Sequence, residues 1–359
     1  MYFDPEPKER REDLYDFEKE YKELKGAIEL GERIVVIKGV RRTGKTSLMK
    51  VVCHELKDPK IFIDGRIVEP KQTEILNSLL QNSIFAMSDR FPSLKIRDLF
   101  KEISLAPFGI GPTVSISFGI KSFEKVDDLL ERKNSKLIIF IDEAQGLKSG
   151  NIAGIVAHLF EHTRNILIVL AGSEVGILDL MTGESPAGDL YGRPKRIMEL
   201  GRLSGEQGLE FLKLGFDQYG KTIKISDIEK AIETFDGVIG WLTLFGYYSK
   251  VHDPVRAIEM VKKEGSKITA REIEHFLQFR KEAKGKYLRL LEALSVPLRW
   301  VEVKRFLEAQ EGRKINDRIV SKYIHEMEKY GLVIKNEENK YQLADPLVKE
   351  GVLLLTRGR

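Results

Sequence analysis

The chain has little of what would place it outside ordinary globular proteins. One cysteine, Cys53, occurs in 359 residues, so no disulfide forms within the chain and a disulfide-stapled scaffold is excluded. Long apolar runs are missing as well. The strongest, at 137–141 and 166–172, fall far short of the roughly 20 residues a membrane helix needs. The opening MYFDPEPKERRED carries charges where a secretory leader needs an apolar stretch, so the expectation is a cytoplasmic protein with no membrane partner. Neither sign of charge dominates, with 59 Lys+Arg against 55 Asp+Glu. The thermolabile amides are scarce, eight Asn and eight Gln beside 32% charged residues, a balance associated with thermostable proteins. At 42% hydrophobic residues the chain is not intrinsically disordered, and its length accommodates two or three domains.

What is present is an alternation. Val- and Ile-rich runs at 34–37, 61–63, 137–141 and 166–170, with a weaker one at 196–200, read as buried strands of a parallel sheet. Helical patterns at 45–56, 72–88 and 152–163 lie between them, so residues 1–202 predict an α/β domain with helices layered on that sheet. After Pro107, FGIGPTVSISFGI has Gly and Pro turn signals around an alternating run, a β-hairpin or loop insertion. From Leu203 strong strands disappear. Helical patterns at 204–219, opened by the capping-box sequence SGEQ, then at 226–235, 241–251, 254–264 and 269–279 predict a small helical domain at 203–282. Further helices at 287–294, 301–309 and 317–330 precede short strands at 332–335 and 341–343 around the turn NEEN. Three helices and a two-stranded wing predict a winged-helix domain at 283–359. The whole positive excess sits in that last part, where residues 281–359 hold 17 Lys+Arg against 12 Asp+Glu.

The strongest chemical signal is GVRRTGKT, Gly39 to Thr46, which fits the phosphate-loop pattern G-x-x-x-x-G-K-[ST] without a mismatch between a strand and a helix. In that context the nucleotide phosphates lie on the backbone of Gly39, Arg41, Arg42, Thr43 and Gly44 and on the start of the helix at Lys45, Thr46 and Ser47. Lys45 reaches the outer phosphates and the Thr46 hydroxyl ligates Mg²⁺. A second signal is LIIFIDEAQ, where a buried strand ends in Asp142 and Glu143. Asp142 there holds Mg²⁺, directly or through water, and Glu143 orients or deprotonates the attacking water. The strand ILIVLAGS ends in Ser173, placed either to touch the γ-phosphate or water, or to cap the next helix. Arg193, in DLYGRPKR, is a candidate for stabilising transition-state charge, in cis or from a neighbouring subunit.

Together GVRRTGKTSL, LIIFIDEAQ, the AGS strand end, LYGR before a fifth strand and the helical and winged-helix segments resemble the archaeal ATPase family. That family belongs to the AAA+ and STAND group of P-loop NTPases, and the chain more distantly resembles origin-recognition initiators. The resemblance implies ATP or ADP as nucleotide, a sheet in which one strand separates the Walker B strand from the phosphate-loop strand, and a lid built from the helical segment. By the same resemblance Lys45 and Thr46 are the Walker A pair, Asp142 and Glu143 the Walker B pair, Ser173 the sensor 1 position and Arg193 the arginine finger. The sequence departs from the pattern twice. Phe17 precedes Glu18 where related families carry an arginine for the adenine contact, leaving two alternatives: RRED at Arg10 to Asp13 supplies the arginine, or Phe17 packs against its own helix. Gly237, Gly240 and Trp241 stand where a sensor 2 arginine or the STAND proline belongs, so sensing by the lid is expected to rest on packing and backbone contacts.

In the winged helix, Lys314, Asn316, Arg318, Lys322, His325 and Lys329 are expected on the polar side of the recognition helix, with Ile315, Ile319, Tyr323 and Met327 as its apolar stripe. That face suits duplex DNA, while Asp317, Glu326 and Glu328 on the same helix suit a solvated face used in protein contact or internal packing. The expected function is an ATP-hydrolysing, Mg²⁺-dependent molecular switch, a homo-oligomer if Arg193 acts in trans. The alternative is a regulatory nucleotide-binding protein with negligible turnover. No N-K-x-D guanine motif occurs, which discounts a GTPase.

Overall fold

The computed structural model describes residues 1–67, 91–92, 121–150, 152–182 and 190–357. The helix expected at 72–88 and the hairpin expected after Pro107 lie outside the described residues. Strands β1 (Ile34–Lys38), β2 (Lys60–Asp64), β3 (Leu137–Asp142), β4 (Ile166–Gly172) and β5 (Arg196–Glu199) form one parallel sheet in the order β2-β3-β4-β1-β5. The continuous apolar runs of β1, β3 and β4 bury every residue, as a sheet covered on both faces demands, whereas edge strand β2 is buried at alternate positions only.

Alternate side chains go to opposite faces. Val36, Ile139 and Ile168 meet α3 (Lys121–Arg132), α4 (Ile152–His162) and α5 (Val175–Thr182), while Val35, Phe140 and Val169 meet α1 (Glu18–Leu30) and α2 (Lys45–Glu55). Strand β4 separates β3 from β1, as the resemblance implied, so the carboxyl ends of all three strands open on one crevice.

The lid is α6 (Gly205–Asp217), α7 (Ile225–Phe235), α8 (Ile239–Ser249) and α9 (Pro254–Leu277). The capping box at Ser204 is formed, its side chain accepting from the Gln207 N–H while the Gln207 side chain accepts from the Ser204 N–H. Helix α9 runs unbroken where two helices were expected. Gly265, in the expected gap between them, lets Leu347 approach closely enough that an added Cβ would lie 2.2 Å from its Cδ1.

The winged helix comprises α10 (Lys284–Ala293), α11 (Trp300–Glu311), recognition helix α12 (Asp317–Lys329) and a wing of β6 (Val333–Lys335) against β7 (Tyr341–Leu343). The expected apolar stripe is corrected at one position. Ile315, just ahead of the Asn316 cap, and Met327 are buried and Tyr323 packs against the winged-helix core, but Ile319 is exposed, and Val320 and Ile324 complete the buried face. A last helix, α13 (Val348–Arg357), follows the wing and was not foreseen. It docks on α9, where the Thr269 hydroxyl donates to the Leu347 carbonyl at 2.8 Å just before α13 begins. Among the described residues no helix is long and apolar enough to cross a membrane.

Residues 1–16, grouped with the α/β domain in the expected division, pack in part on the lid. Phe3 is fully buried, its ring centroid 4.8 Å from that of Phe216, 5.8 Å from Phe211 and 6.0 Å from Tyr219, which it stacks. Emptying so enclosed an aromatic site costs about 3–5 kcal/mol. Phe3→Ala should therefore lower the lid's unfolding free energy by that amount in urea titration followed by tryptophan fluorescence. A loss under about 1 kcal/mol would mean that the arm is not docked in solution.

Candidate nucleotide-binding site

The phosphate loop leaves β1 after Lys38 and enters α2 at Lys45, so its N–H groups and the positive end of α2 face one concavity. Gly44, at φ +93°, holds a backbone that side-chain-bearing residues rarely adopt, and an added Cβ would lie 3.0 Å from the Phe17 ring. The Thr43 hydroxyl donates to the Val40 carbonyl at 2.9 Å, bracing the turn. The Ser47 hydroxyl accepts from the Lys8 N–H at 3.1 Å, tying α2 to the N-terminal arm. Lys45 is buried, with Nζ 2.7 Å from the carbonyl oxygens of both Gly39 and Val40. Burial pushes its ammonium pKa down to about 8.

Strand β3 delivers the acidic pair to the same place. The Thr46 hydroxyl donates to Asp142 Oδ2 at 2.6 Å, and the Glu143 N–H donates to Asp142 Oδ1 at 3.0 Å. Asp142 is only 1% exposed, and burial pushes its carboxyl above the usual range against the opposing Thr46 hydrogen bond. A buried carboxylate beside a hydroxyl, with a second carboxyl at the next residue, is a set of hard oxygen donors that fits Mg²⁺. Glu143 takes a left-handed conformation, φ +46°, and its Oε2 accepts from the buried Ser173 hydroxyl at 2.7 Å. The Gln145 amide donates both to that carboxylate and, at 3.2 Å, to Ser173 Oγ. Sequence reasoning missed Gln145. Its signal was a polar side chain two residues past a strand-end glutamate, at a turn that folds back over the crevice.

The side chains of Arg41 and Arg42 turn away from the loop's concavity toward carboxylates. Arg41 donates to Glu174 at 3.1 Å and lies 3.7 Å from Glu272 on α9. Arg42 donates to Glu272 and to Asp345, which follows β7, both at 2.8 Å, and its guanidinium stacks 4.3 Å over the Trp241 ring. Asp345 is buried and also accepts from Trp241 Nε1 at 2.9 Å and the Leu347 N–H at 2.8 Å. The lid also reaches the loop through backbone, the Gly240 N–H donating to the Arg42 carbonyl at 3.1 Å.

Beside the loop lies a cavity of about 340 Å³ lined by Leu14, Phe17, Phe211, Ile239, Leu244 and the start of α2. This size is at the lower end of small-molecule sites, about 300–1,000 Å³. Its apolar walls suit a purine. Arg10 and Arg11 do not line it; Arg11 pairs with Glu18 and sits 5.0 Å over the Tyr21 ring. Phe17, offered by the sequence only as packing against its own helix, lines the cavity. Arg193 does not join the constellation in cis, which corrects that half of the expectation. It precedes β5, at the amino end of a parallel sheet whose carboxyl ends carry the site, and pairs with Glu161 on α4.

If Lys45 holds the nucleotide's phosphates it does so in its charged form, so its lowered pKa predicts pH-dependent affinity in the alkaline range. Protonated in most molecules at pH 7, the free protein's lysine is neutral in most at pH 9, and the dissociation constant for ADP should rise about tenfold between the two. A constant that stays flat over this range, measured by calorimetry, would contradict the burial argument.

The comparisons agree with this geometry. A family model described as ATPase domain predominantly from Archaea matches residues 14–245, and one for the MCM protein C-terminal winged helix-turn-helix domain matches residues 281–344. Among solved structures the Walker-type ATPase of Pyrococcus abyssi is similar over 98% of this chain and 100% of its own, at 28% identity and a TM-score of 0.77. The ORC2 protein of Aeropyrum pernix, solved in ADPNP and ADP complexes, shares the fold at 13% identity and a TM-score of 0.59, covering 100% of this chain and 98% of its own. No curated protein matches the sequence. With a phosphate loop beside an acidic strand end and nearly two thirds of its length within one family model, the chain belongs to the family of ATPase domains found predominantly in Archaea.

Proposed function

We propose that this protein is a cytoplasmic, Mg²⁺-dependent ATPase that works as a molecular switch of three parts, the α/β domain at 1–202, the lid at 203–282 and the winged helix at 283–359. The observation that carries the reading is the Glu143 carboxylate, held by Ser173 and Gln145 beside the Thr46–Asp142 pair. Thr46 and Asp142 would hold Mg²⁺, which when bound supplies positive charge to the phosphate oxygens. Lys45 exchanges its bonds to the Gly39 and Val40 carbonyls for the outer phosphates and carries charge that develops there. Backbone N–H groups of Gly39 to Gly44 cradle the phosphates, and Ser47 fixes the first turn of α2. Glu143 positions the attacking water and accepts its proton, while Ser173 and Gln145 keep that carboxylate aimed.

We assign Arg193 a role only in trans, at the nucleotide of a second copy in a homo-oligomer. Duplex DNA is the proposed macromolecular partner, through the exposed Lys314, Arg318 and Lys322 on the amino-terminal half of α12 and its approach. With Asp317 and Glu326 nearby, this face offers few phosphate contacts, so the proposed binding is weak and depends steeply on salt.

A second reading, a regulatory protein with negligible turnover, is favoured by the bonds of Arg41 and Arg42 to Glu174, Glu272 and Asp345. They tie the loop to the lid and the wing, and a switch needs only that its two states differ in nucleotide affinity. Phosphate release with ATP and Mg²⁺, measured over a range of protein concentrations with and without mixed-sequence duplex DNA, separates the two. The ATPase reading expects turnover that Glu143→Gln lowers at least about 100-fold with nucleotide binding retained, and that Lys45→Ala removes together with binding. Release that rises faster than linearly with protein supports the trans role of Arg193. Tight binding with no release under any condition would leave the regulatory reading in its place.

A further inference from the structure

A cluster of metal-ligand side chains lies away from the nucleotide site, on the other end of the α/β domain. His158 and His162 occupy positions i and i+4 of α4 and so share one face. Their rings stack with centroids 4.1 Å apart and 25° between planes. Glu124, on α3, faces both, with Oε1 3.7 Å from His158 Nε2 and 4.0 Å from His162 Nδ1. The three ligand atoms all lie within 4.8 Å of one another.

We propose that Glu124, His158 and His162 bind a zinc-class transition-metal ion, with the fourth position open to water. Four observations converge on this. Imidazole and carboxylate are ligands zinc accepts, and at bond lengths near 2.0–2.1 Å the donors of a tetrahedral site stand about 3.3–3.4 Å apart, so small side-chain rotations close the present gaps. His158 Nε2 is buried and has no hydrogen-bond partner among the described residues, a polar ring atom withdrawn from water and aimed at the Glu124 carboxylate. The two helices are already fixed to one another. Asp127, one turn beyond Glu124, accepts from the N–H groups of Arg164 and Asn165 at 2.9 and 2.6 Å, just past the end of α4. Finally, His162 is the last residue of α4, where the helix carboxyl end favours a cation. Glu161, the other acid at this end of α4, is engaged by Arg193 and is not a ligand. The ion would clamp α3 onto α4. It lies toward the amino ends of the strands, opposite the crevice that holds Thr46 and Asp142, so a clamp rather than a reacting centre follows from its place.

The test uses the full-length, untagged protein, stripped with chelator and kept in excess Mg²⁺ and ADP so that the nucleotide-site oxygens are occupied. Zn²⁺ is titrated in competition with a chromophoric chelator, and Co²⁺ is titrated for the visible absorption of a four-coordinate site. The proposal expects one equivalent bound, an affinity at least about 100-fold weaker in the His158→Ala, His162→Ala double variant, and a rise in Tm on adding Zn²⁺ that the variant lacks. Glu124→Gln, at a partly exposed position, should also weaken Zn²⁺ and keeps the test decisive if the double variant misfolds. No binding by the wild-type protein, or binding unchanged by both sets of substitutions, would overturn the site whatever the outcome for ATP.

Discussion

The contact on which the rest of the arrangement depends is the half-buried pairing of Arg42 with buried Asp345 and with Glu272. A guanidinium and a buried carboxylate are expensive to take from water, and the cost is offset only when the remaining donors and acceptors find partners. Here they do. Asp345 accepts from Arg42, from the Trp241 indole and from the Leu347 backbone, and Arg42 completes the pair with Glu272 and the face of Trp241. Four segments meet at this point: the phosphate loop, the lid helix α8, the long helix α9 and the chain leaving the wing. Arg202 adds a second tie, donating to the carbonyl oxygens of Leu343 and Ala344 at 3.2 and 2.6 Å. Removing one partner from such a network leaves a charge buried and unpaired, at a cost of about 3–5 kcal/mol, so these parts hold one another in place.

For the proposed switch, that constraint would give the nucleotide a route to the winged helix. The two arginines that face carboxylates sit within the loop whose N–H groups face the phosphates. The end of α12 is seated on the same domain, with Tyr330 packed against the sheet's apolar layer as well as against the winged-helix core. Glu174, whose carboxyl is pushed up by burial, follows directly on Ser173, so the group that aims Glu143 and a group that holds Arg41 are chain neighbours. In the proposed switch, a change in charge at the loop would act on both sides of the site, and the winged helix would undock only to the extent that the two states differ in nucleotide affinity.

Much of this was legible in the sequence because local patterns report local causes. The continuous apolar runs of β1, β3 and β4 could only be strands covered on both faces. The loop motif between a strand and a helix fixed Lys45 and Thr46, and a strand-end acidic pair fixed Asp142 and Glu143. What could not be read is long-range partnership. Asp345 lies in an unremarkable LADP after the wing, and nothing near it in sequence points to Arg42, 303 positions away. The gap expected between helices at 254–264 and 269–279 does not exist, because Gly265 makes room for Leu347 within one continuous helix. Ile319 was assigned inward, whereas Val320 and Ile324 are the residues that turn to the core there. Gln145 was passed over since its value comes from the meeting of β3 and β4, not from its own surroundings in the chain.

The central claim is that the arginine contacts couple the phosphate loop to the position of the winged helix. The most direct test is the distance between spin labels on α1 and α12, at Lys22→Cys and Lys322→Cys in a Cys53→Ser background, measured by pulsed dipolar spectroscopy. The account predicts one narrow distance distribution without nucleotide, and a longer, broader one both when ATP and Mg²⁺ are added to the Glu143→Gln protein and when Asp345→Asn is introduced without nucleotide. A distribution that stays the same with nucleotide and with Asp345→Asn would contradict it.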